Sequence, residues 1–579
     1  ALSTPPRIAE IAKEIEQTGI KGWDGLFWKN QYEAFQQFFH EKNLAPYFGS
    51  IDSLTRAMGD VSFDHQGRRI QGMRMQNTGD VYAVNGWEAM PYDNHSGIVD
   101  IYRNCKGNPS TFTYYTQPLY VAVSPRTQFV HLPGKVPVDF YIVNEKNLSG
   151  KYRLSVFVCT PDGKEGKHIE KEVHITGGDC FGQLLLEHCQ LEIEGVSGLY
   201  QVKAQLRNAS GHLCAEGKDE VLGIYWDKKQ LKGKGALYGT PDDPVATFYQ
   251  KATGCELPAF RSDMEKLDWI VVTRSSLDAP QPVPVEAFCQ KEGKSVLELS
   301  LYKDDDLRTL AGVTQDNKID RTFADGAQPD PLLPANQSFS AIWDGKLKAP
   351  QSGTYMIGVT SDQGMRLSVN GQRIVDEWRN NKELTVVRPF LLKAGDEVAV
   401  RVEYSQRNPT GSVQLVWSLP DHAAIAPQEL LDRVKEDGTS LLLLKSAESW
   451  MDAVSAYTGS AYHGYYSVGK NWVGGVHFVK EHPLFNGLPV NVAMGWPYQA
   501  LVRNGDRRLG LHIDNEELVA GSYGSAPFNL GSAVGIISCG KGKIYYSTLD
   551  LVDNLNNPAA AADVARKLFC NFILLSKDR

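Results

Sequence analysis

The chain has 579 residues, of which 42% are hydrophobic and 22% are charged, and its formal net charge is −8. Single hydrophobic cores stop growing near ~250–300 residues, so this length predicts several domains. The negative charge argues against nucleic acid or an anionic membrane as a partner, and no apolar run approaches the ~20 residues of a transmembrane helix.

The cysteines and the first residue add three expectations. The 9 cysteines include no CxxC pair, which favours buried free thiols over a disulfide framework or a zinc site. We therefore expect no metal and no cofactor. The chain starts at Ala1 without a signal peptide, which fits a processed product or an excised fragment.

Residues 1–117 combine helical patterns with a short strand pattern. Ile8, Ile11, Ala12 and Ile15 mark one face of a first helix, and two further helical patterns follow. An apolar strand at residues 81–84 then leads into a polar loop, which is typical of α/β domains. These elements are too few to close a sheet, so they indicate the tail of a larger α/β domain whose beginning is absent.

Polar and aromatic side chains follow this strand. In a β/α barrel the carboxyl ends of the strands carry the chemistry. Carboxylates and amides there could hold sugar hydroxyls, and a tryptophan could stack on a pyranose ring, although a buried polar turn would use the same residues. The candidates are Asn85, Trp87, Glu88, Asp93, Asn94 and His95.

A second candidate surface lies at residues 22–28. Trp23 and Trp28 could stack on sugars from a glycine-flanked loop, or they could pack the start of a helix.

The sequence of this region resembles glycoside hydrolase family 2, which includes β-galactosidases and β-glucuronidases. The resemblance rests on Arg56-Ala-Met-Gly-Asp60, a helical connection, the Trp87-Glu88 strand end and the sandwich that follows, over about residues 20–225. It implies the C-terminal part of a (β/α)8 barrel and retaining hydrolysis of a β-linked sugar from a non-reducing end. Retaining hydrolysis needs two carboxyl groups about 5 Å apart.

The catalytic positions of that family are only partly present. Its acid/base is a Glu in an Asn-Glu pair, and the pair at Asn144-Glu145 falls inside a sandwich pattern instead. Its nucleophile position corresponds here to Ser53, beside Asp52. Either Asp52 serves, or a Glu elsewhere such as Glu88 does, or this branch is not a conventional hydrolase.

Residues 118–225 alternate apolar and polar positions in about seven short strands separated by glycine-rich turns. This pattern predicts an immunoglobulin-like β-sandwich.

Residues 226–314 and 424–579 carry continuous apolar strands, the pattern of a sheet buried on both faces. They resemble a class I glutamine-amidotransferase-like domain, which implies a flavodoxin-like α/β fold. A nucleophile elbow needs Cys or Ser on a glycine-flanked strand-to-helix turn. Ser446 has no flanking glycines and Cys539 precedes a strand, so we expect this domain to be inactive.

Residues 315–423 interrupt that domain. The alternation of Tyr355, Ile357 and Val359, and the Asn370-Gly371 turn, predict a β-sandwich hairpin. The sequence of this segment resembles the protective-antigen (PA-14) module, which often accompanies carbohydrate-active enzymes and adhesins. Some sugar-binding members hold Ca²⁺ through two adjacent aspartates, whereas this chain has Asp362-Gln363. Losing one carboxylate weakens such a site, so we expect no calcium-dependent binding, and structural packing for Asp362 and Trp378.

These modules indicate part of a retaining exo-acting β-glycosidase with accessory carbohydrate-binding modules. The alternative is a non-catalytic glycan-binding or scaffolding protein, and an amidotransferase-like enzyme is a third, weaker interpretation. The expected partners are an oligosaccharide or polysaccharide, the missing N-terminal barrel portion and, in a homo-oligomer, further copies of this chain. The module set favours a periplasmic, cell-surface or secreted location.

Overall fold

We describe a computed structural model of residues 8–19, 23–77, 98–99, 103–231, 233–239, 242–275, 281–291, 294–295, 297–419, 427–467, 476–502, 509–524 and 529–577. The chain forms two compact units. Unit 1 comprises Ala1–Arg274 and Ala426–Arg579, and unit 2 comprises Ser275–Ile425. Within the described ranges, no helix is long and apolar enough to cross a membrane.

Unit 1 begins with helices. These are α1 (Ile8–Thr18), α2 (Trp23–Glu41), α3 (Ala45–Phe48), α4 (Ile51–Met75) and α5 (Pro109–Tyr115). The part of residues 1–117 that the structure describes contains an isolated bridge between Val99 and Cys105 but no strand ladder. The expected barrel is therefore not confirmed, and the strand expected at residues 81–84 lies outside the described residues.

The apolar faces of these helices pack against a later part of unit 1. The Phe35 ring stacks on Tyr523 with centroids 5.3 Å apart, and Phe48 meets Phe478 edge-on at 5.7 Å. The helical periodicity was interpreted correctly as buried faces. In the described residues, the partner of Phe35 and Phe48 is a sheet formed by the C-terminal part of the chain.

The next part of unit 1 is a two-sheet β-sandwich. Its strands are β1 (Leu119–Pro125), β2 (Phe129–His131), β3 (Gly134–Asn144), β4 (Gly150–Cys159), β5 (Glu165–Ile175), β6 (Gly182–Ile193), β7 (Gly198–Arg207) and β8 (Leu213–Ile224). The sheet orders are β1-β3-β6 and β2-β8-β7-β4-β5. Alternate residues such as Val121, Phe140 and Val202 are fully buried between them, as the sequence pattern predicts.

Two parallel strands precede unit 2 in the chain. They are β9 (Gly235–Tyr238) and β10 (Trp269–Val272), with α6 (Pro244–Thr253) between them. A Cβ at Gly235 would lie 2.1 Å from the Trp269 ring, so this position tolerates only glycine at the observed strand spacing.

Unit 2 is a β-sandwich. Its strands are β11 (Gln281–Pro282), β12 (Gln290–Lys291), β13 (Lys294–Ser295), β14 (Leu297–Tyr302), β15 (Leu310–Asp316), β16 (Asp320–Phe323), β17 (Phe339–Lys348), β18 (Gly353–Ser361), β19 (Gly364–Val369), β20 (Gln372–Glu377), β21 (Leu384–Leu392), β22 (Glu397–Gln406) and β23 (Gly411–Ser418). The larger sheets have the orders β15-β14-β17-β22-β19-β20 and β11-β23-β18-β21. The predicted hairpin turn is confirmed, because Asn370 and Gly371 both have positive φ between β19 and β20.

The structure corrects one strand assignment at the start of unit 2. We expected the apolar strand near residues 296–301 in the parallel α/β sheet, and the sandwich from 315. Instead β14 pairs antiparallel with β15 and β17 inside the sandwich. The reason is visible in its burial, because Leu297, Leu299 and Leu301 are buried while Glu298 is exposed, so the strand has one buried face.

The rest of unit 1 completes its mixed sheet. The elements are α7 (Pro427–Asp432), β24 (Ser440–Leu443), α8 (Met451–Thr458), β25 (Tyr462–Ser467), β26 (Val476–Val479), β27 (Val492–Ala493), α9 (Gln499–Val502), β28 (Leu509–Ile513), β29 (Glu517–Gly524), β30 (Asn529–Cys539), β31 (Gly542–Ser547), α10 (Leu551–Asn554) and α11 (Asp563–Leu575). The path through the sheet is β27-β26-β29-β30-β31-β24-β10-β9, with β25 and β28 attached beside β30.

This sheet is parallel only in part. Strands β9, β10, β24 and β31 are parallel and neighbour one another in chain order, while β26, β27, β29 and β30 pair antiparallel. A flavodoxin-like sheet has the order 2-1-3-4-5, so that expectation is wrong for these strands.

All nine cysteines fall in the described residues and are free thiols. The expectation that they are buried holds for Cys159, Cys539 and Cys570, whereas Cys255 is exposed.

Candidate functional site

The structure places Asp52 on a helix. It lies in the first turn of α4, where the hydroxyl of the cap residue Ser50 accepts a hydrogen bond from the Ser53 amide. A carboxylate in the first turn of a helix interacts favourably with the helix dipole, which is a sufficient structural role. Its expected role as a nucleophile stays a prediction, because the strand and loop expected beside it, at residues 78–97, lie outside the described residues.

The remaining candidates from the N-terminal region are described only in part or not at all. Trp23 and Trp28 belong to α2 rather than to a loop, and their side chains are outside the described residues. Asn85, Trp87, Glu88, Asp93, Asn94 and His95 also lie outside the described residues.

In unit 2, the Asp362-Gln363 turn after β18 is fixed by its own hydrogen bonds. The Asp362 Oδ1 atom accepts from the Ser412 amide at 2.6 Å. The buried Gln363 side chain donates from Nε2 to the Thr410 carbonyl, and its Oε1 accepts from the amides of Arg407 and Asn408. The amide therefore holds the loop after β22.

This arrangement does not suit a calcium ion. Calcium takes six to eight oxygen ligands, among which carboxylates are prominent. The Gln363 oxygen faces backbone N–H donors, and Asp362 is engaged by another N–H group. Within the described ranges, no cluster of three His, Cys, Asp or Glu side chains could hold a metal ion.

Trp378 anchors a second part of the same end of the sandwich. Its Nε1 donates to Asp306 Oδ1 at 3.2 Å, and the guanidinium of Arg366 lies 4.2 Å from its ring centroid. The Arg407 guanidinium donates to the Trp378 carbonyl at 2.6 Å and to Asp305 at 2.9 Å. Packing is thus the main role of this ring, in line with the expectation from the sequence.

Beside Arg407 the surface opens into a cleft of ≈ 380 Å³. Residues 321–329, 336–339 and 406–409 line it. Its volume falls in the ~300–1,000 Å³ range of small-molecule sites. The sequence motifs did not single out these residues, because three separate segments of the chain supply them.

The floor of the cleft is aromatic and its walls are polar. Phe323 stacks on the buried Tyr404 at 5.5 Å and meets Phe339 edge-on at 5.0 Å. Gln328 and Gln337 are oriented by donating to the carbonyls of Leu333 and Lys303, each at 2.9 Å. Amide and guanidinium groups above an apolar floor can hydrogen-bond hydroxyls while the floor covers C–H surface.

The loop beside this end of the sandwich is held by Asp304. Its carboxylate accepts from the amides of Arg308, Asp306 and Thr309. These backbone hydrogen bonds, that of Arg308 first, lower the pKa of Asp304 to about 2, so it stays ionised at neutral pH.

A third location, in unit 1, is the turn after β24, where the sequence has no flanking glycines. Ser446 itself adopts a left-handed conformation, with φ of 53° and ψ of 36°. The chain turns there from β24 into a 3₁₀ turn at Ala447–Trp450 and then into α8. A non-glycine residue occupies the left-handed position, and the expectation that this domain is inactive stays a prediction.

Comparison with known proteins identifies one domain. Residues 293–430 match the model of the PA14 domain, which covers most of unit 2.

Two further comparisons give similarity to particular proteins. Anti-sigma-I factor RsgI3 of Acetivibrio thermocellus is 29% identical over 117 residues, which are 20% of this chain and 18% of that protein. An anti-sigma factor domain-containing protein from Clostridium clariflavum is 17% identical with a TM-score of 0.20, covering 52% of this chain and 93% of that chain.

A β-glucosidase from Kluyveromyces marxianus, solved with glucose, is 16% identical with a TM-score of 0.22, covering 38% of this chain and 29% of that chain. TM-scores this low carry no argument about fold or function. The comparisons therefore define a PA14 domain within a multidomain, mostly β chain.

Proposed function

We propose that unit 2 binds glycans, without calcium, in the cleft between residues 321–329, 336–339 and 406–409. PA14 domains are found in glycosidases and in carbohydrate-binding adhesins, and residues 293–430 match this domain. The observation that carries the proposal is the position of the cleft. It lies beside the loop that Gln363 fixes with its amide, where a metal-dependent relative would need a second carboxylate.

The experiment measures binding of the full chain to β-linked galactosides and glucosides by calorimetry, with calcium or with a chelator. Asn408→Ala combined with Asp325→Ala removes two exposed polar groups of the cleft. We expect at least tenfold weaker binding for the pair and no effect of calcium. The matched control is Asn381→Ala, an exposed asparagine outside the lining, which should change affinity less than twofold. Unchanged affinity in the double variant, or binding abolished by the chelator, would contradict the proposal.

We further propose that this chain is the accessory, C-terminal part of a retaining exo-acting β-glycosidase, acting with an upstream barrel portion. The support is the series Arg56–Asp60, Trp87-Glu88 and the sandwich, which resembles glycoside hydrolase family 2. On this proposal Glu88 is a site carboxylate and the enzyme works in the periplasm, at the cell surface or outside the cell.

Chromogenic β-galactoside, β-glucoside and β-glucuronide test the enzymatic proposal. The chain alone should be inert, and addition of the upstream fragment should restore turnover that Glu88→Gln abolishes. If the complemented chain stays inert, the non-catalytic glycan-binding alternative takes its place. Full activity with Glu88→Gln would remove Glu88 from the site.

A further inference from the structure

The carboxyl ends of two neighbouring parallel strands in unit 1 frame a second cleft. β24 and β31 run side by side, with Leu443 opposite Tyr546, so both strands end at the same edge of the sheet. Ligands of open α/β sheets bind outside the carboxyl ends of the strands, most often where the strand order reverses. The cleft there has a volume of ≈ 180 Å³.

Its shape depends on the left-handed turn at Ser446. One wall is the segment after β24, with Lys445, Ser446 and Glu448, and the other is the segment after β31, from Ser547 to Asp553. Ser446, in the left-handed conformation, links the end of β24 to the 3₁₀ turn at Ala447–Trp450, and this segment forms the first wall. A strained non-glycine conformation of this kind is found disproportionately at functional sites.

The charge of the lining restricts the ligand. One lysine, Lys445, faces three carboxylates, Glu448, Asp550 and Asp553, so the lining repels anions. Within the described residues, no three of these side chains come together as metal ligands. Ser446, Ser547 and Thr548 also line the cleft, and the buried Ser547 hydroxyl accepts from the Leu549 amide.

The volume of the cleft and an exposed ion pair across it also restrict the ligand. A volume of ≈ 180 Å³ is below the ~300–1,000 Å³ of sites for drug-sized molecules, so one small ligand fits. Lys445 Nζ and Asp553 Oδ1 are 2.7 Å apart, joining the two walls, and both side chains are substantially exposed. Exposed pairs contribute little stability, so a ligand can replace this ion pair at small cost.

We propose that this cleft binds a single polyhydroxylated ligand of hexose size that carries no negative charge, such as a neutral hexose or an amino sugar. The carboxylates accept from its hydroxyl or ammonium groups, and Lys445 and the Ser446 hydroxyl donate to its oxygens. This site is distinct from the cleft of unit 2 and does not depend on the function proposed there.

Saturation-transfer NMR titrations of the full chain with D-glucose, D-glucosamine, D-glucuronate and glucose 6-phosphate test the proposal. Ser446→Gly removes the hydroxyl while keeping the left-handed turn, because glycine adopts positive φ readily. Glu448→Gln neutralises one carboxylate at constant size. We expect glucose or glucosamine to bind, each variant to weaken that binding at least fivefold, and the two anionic sugars to bind at least tenfold more weakly than glucose.

Asn381→Ala, an exposed asparagine outside the lining of both clefts, is the matched control. It should leave hexose binding within twofold. The proposal is overturned if none of the hexoses binds, if Ser446→Gly and Glu448→Gln together leave affinity unchanged while the variant melts like the wild type, or if glucuronate binds as well as glucose.

Discussion

At the scale of single residues, the buried carboxylate of Glu516 depends on Lys42. Its side chain is fully buried, and it accepts from Lys42 Nζ at 2.6 Å and from the hydroxyls of Ser532 and Tyr546. Removing one partner of a buried ion pair leaves an uncompensated charge, which typically costs ~3–5 kcal/mol. We expect Lys42→Met to lower the free energy of unfolding of unit 1 by about that amount, measured by urea titration.

The matched control is a pair of the same chemistry on the surface. Lys346 and Glu397 are 3.2 Å apart, with side chains 59% and 52% exposed. Exposed pairs contribute ~0–1 kcal/mol, so Lys346→Met should cost less than this. Equal losses in the two variants would show that burial of Glu516 does not control its dependence on lysine.

A histidine near the same network predicts a pH dependence. Burial first, and then the positive charge of Lys42, lower the pKa of His512 to about 4. An unfolded histidine takes up a proton near pH ~6.5. Between these values the unfolded state binds more protons, so stability should fall as pH drops from about 6.5 toward about 4.

The measurement for His512 is the difference in urea midpoint between wild type and His512→Gln at several pH values. The wild type should lose more stability than the variant between pH 7 and 4.5. A constant difference across this range would contradict a lowered pKa at this residue.

At the scale of elements, helix α4 contains glycines with opposite surroundings. A Cβ at Gly67 would lie 2.0 Å from the Tyr115 ring, whereas one at Gly72 would meet nothing within 4 Å. Alanine is the better helix former by ~0.8–1.0 kcal/mol. Thermal melting should show Gly72→Ala neutral or stabilised and Gly67→Ala destabilised by several degrees, because Tyr115 must move. If both variants melt together above the wild type, α4 and α5 are not packed as described.

The elements also show where sequence reasoning ends. Local signals such as Asn370-Gly371 and the alternation of Val121 and Val123 predicted turns and strands correctly, because they depend on neighbours in the chain. Partner choice depends on distant residues. The helical patterns of residues 1–117 predict buried faces, but nothing in them indicates that Phe35 stacks on Tyr523.

The clefts were not predictable for a related reason. The lining of the unit 2 cleft comes from three separate segments of the chain, and the cleft at β24 and β31 joins segments about a hundred residues apart in sequence. The Ser446 turn carried no glycine signal at all. Gln363 was the exception, since its replacement of a carboxylate was visible in the sequence.

At the scale of the whole molecule, unit 2 is an insertion with adjoining ends. Its first strand β11 pairs with its last strand β23, Gln281 opposite Trp417, so entry and exit lie close together. Inserted domains whose two ends lie close together usually fold independently. We expect calorimetry of the full chain to show separate transitions for the two units, and isolated residues 275–425 to melt cooperatively. A single transition for the full chain together with an unfolded fragment would refute this.

The insertion also sets an order of events during synthesis. Strands β10 and β24 are direct neighbours in the sheet, Trp269 opposite Ser440, yet all of unit 2 is translated between them. Strand β10 therefore leaves the ribosome long before β24 has been made. Folding of unit 2 then shortens the loop that must close to pair the two strands. A substitution in the core of unit 2 that slows its folding would leave one edge of β10 unpaired for longer. We expect the result to be aggregation through the sheet of unit 1 that contains β10.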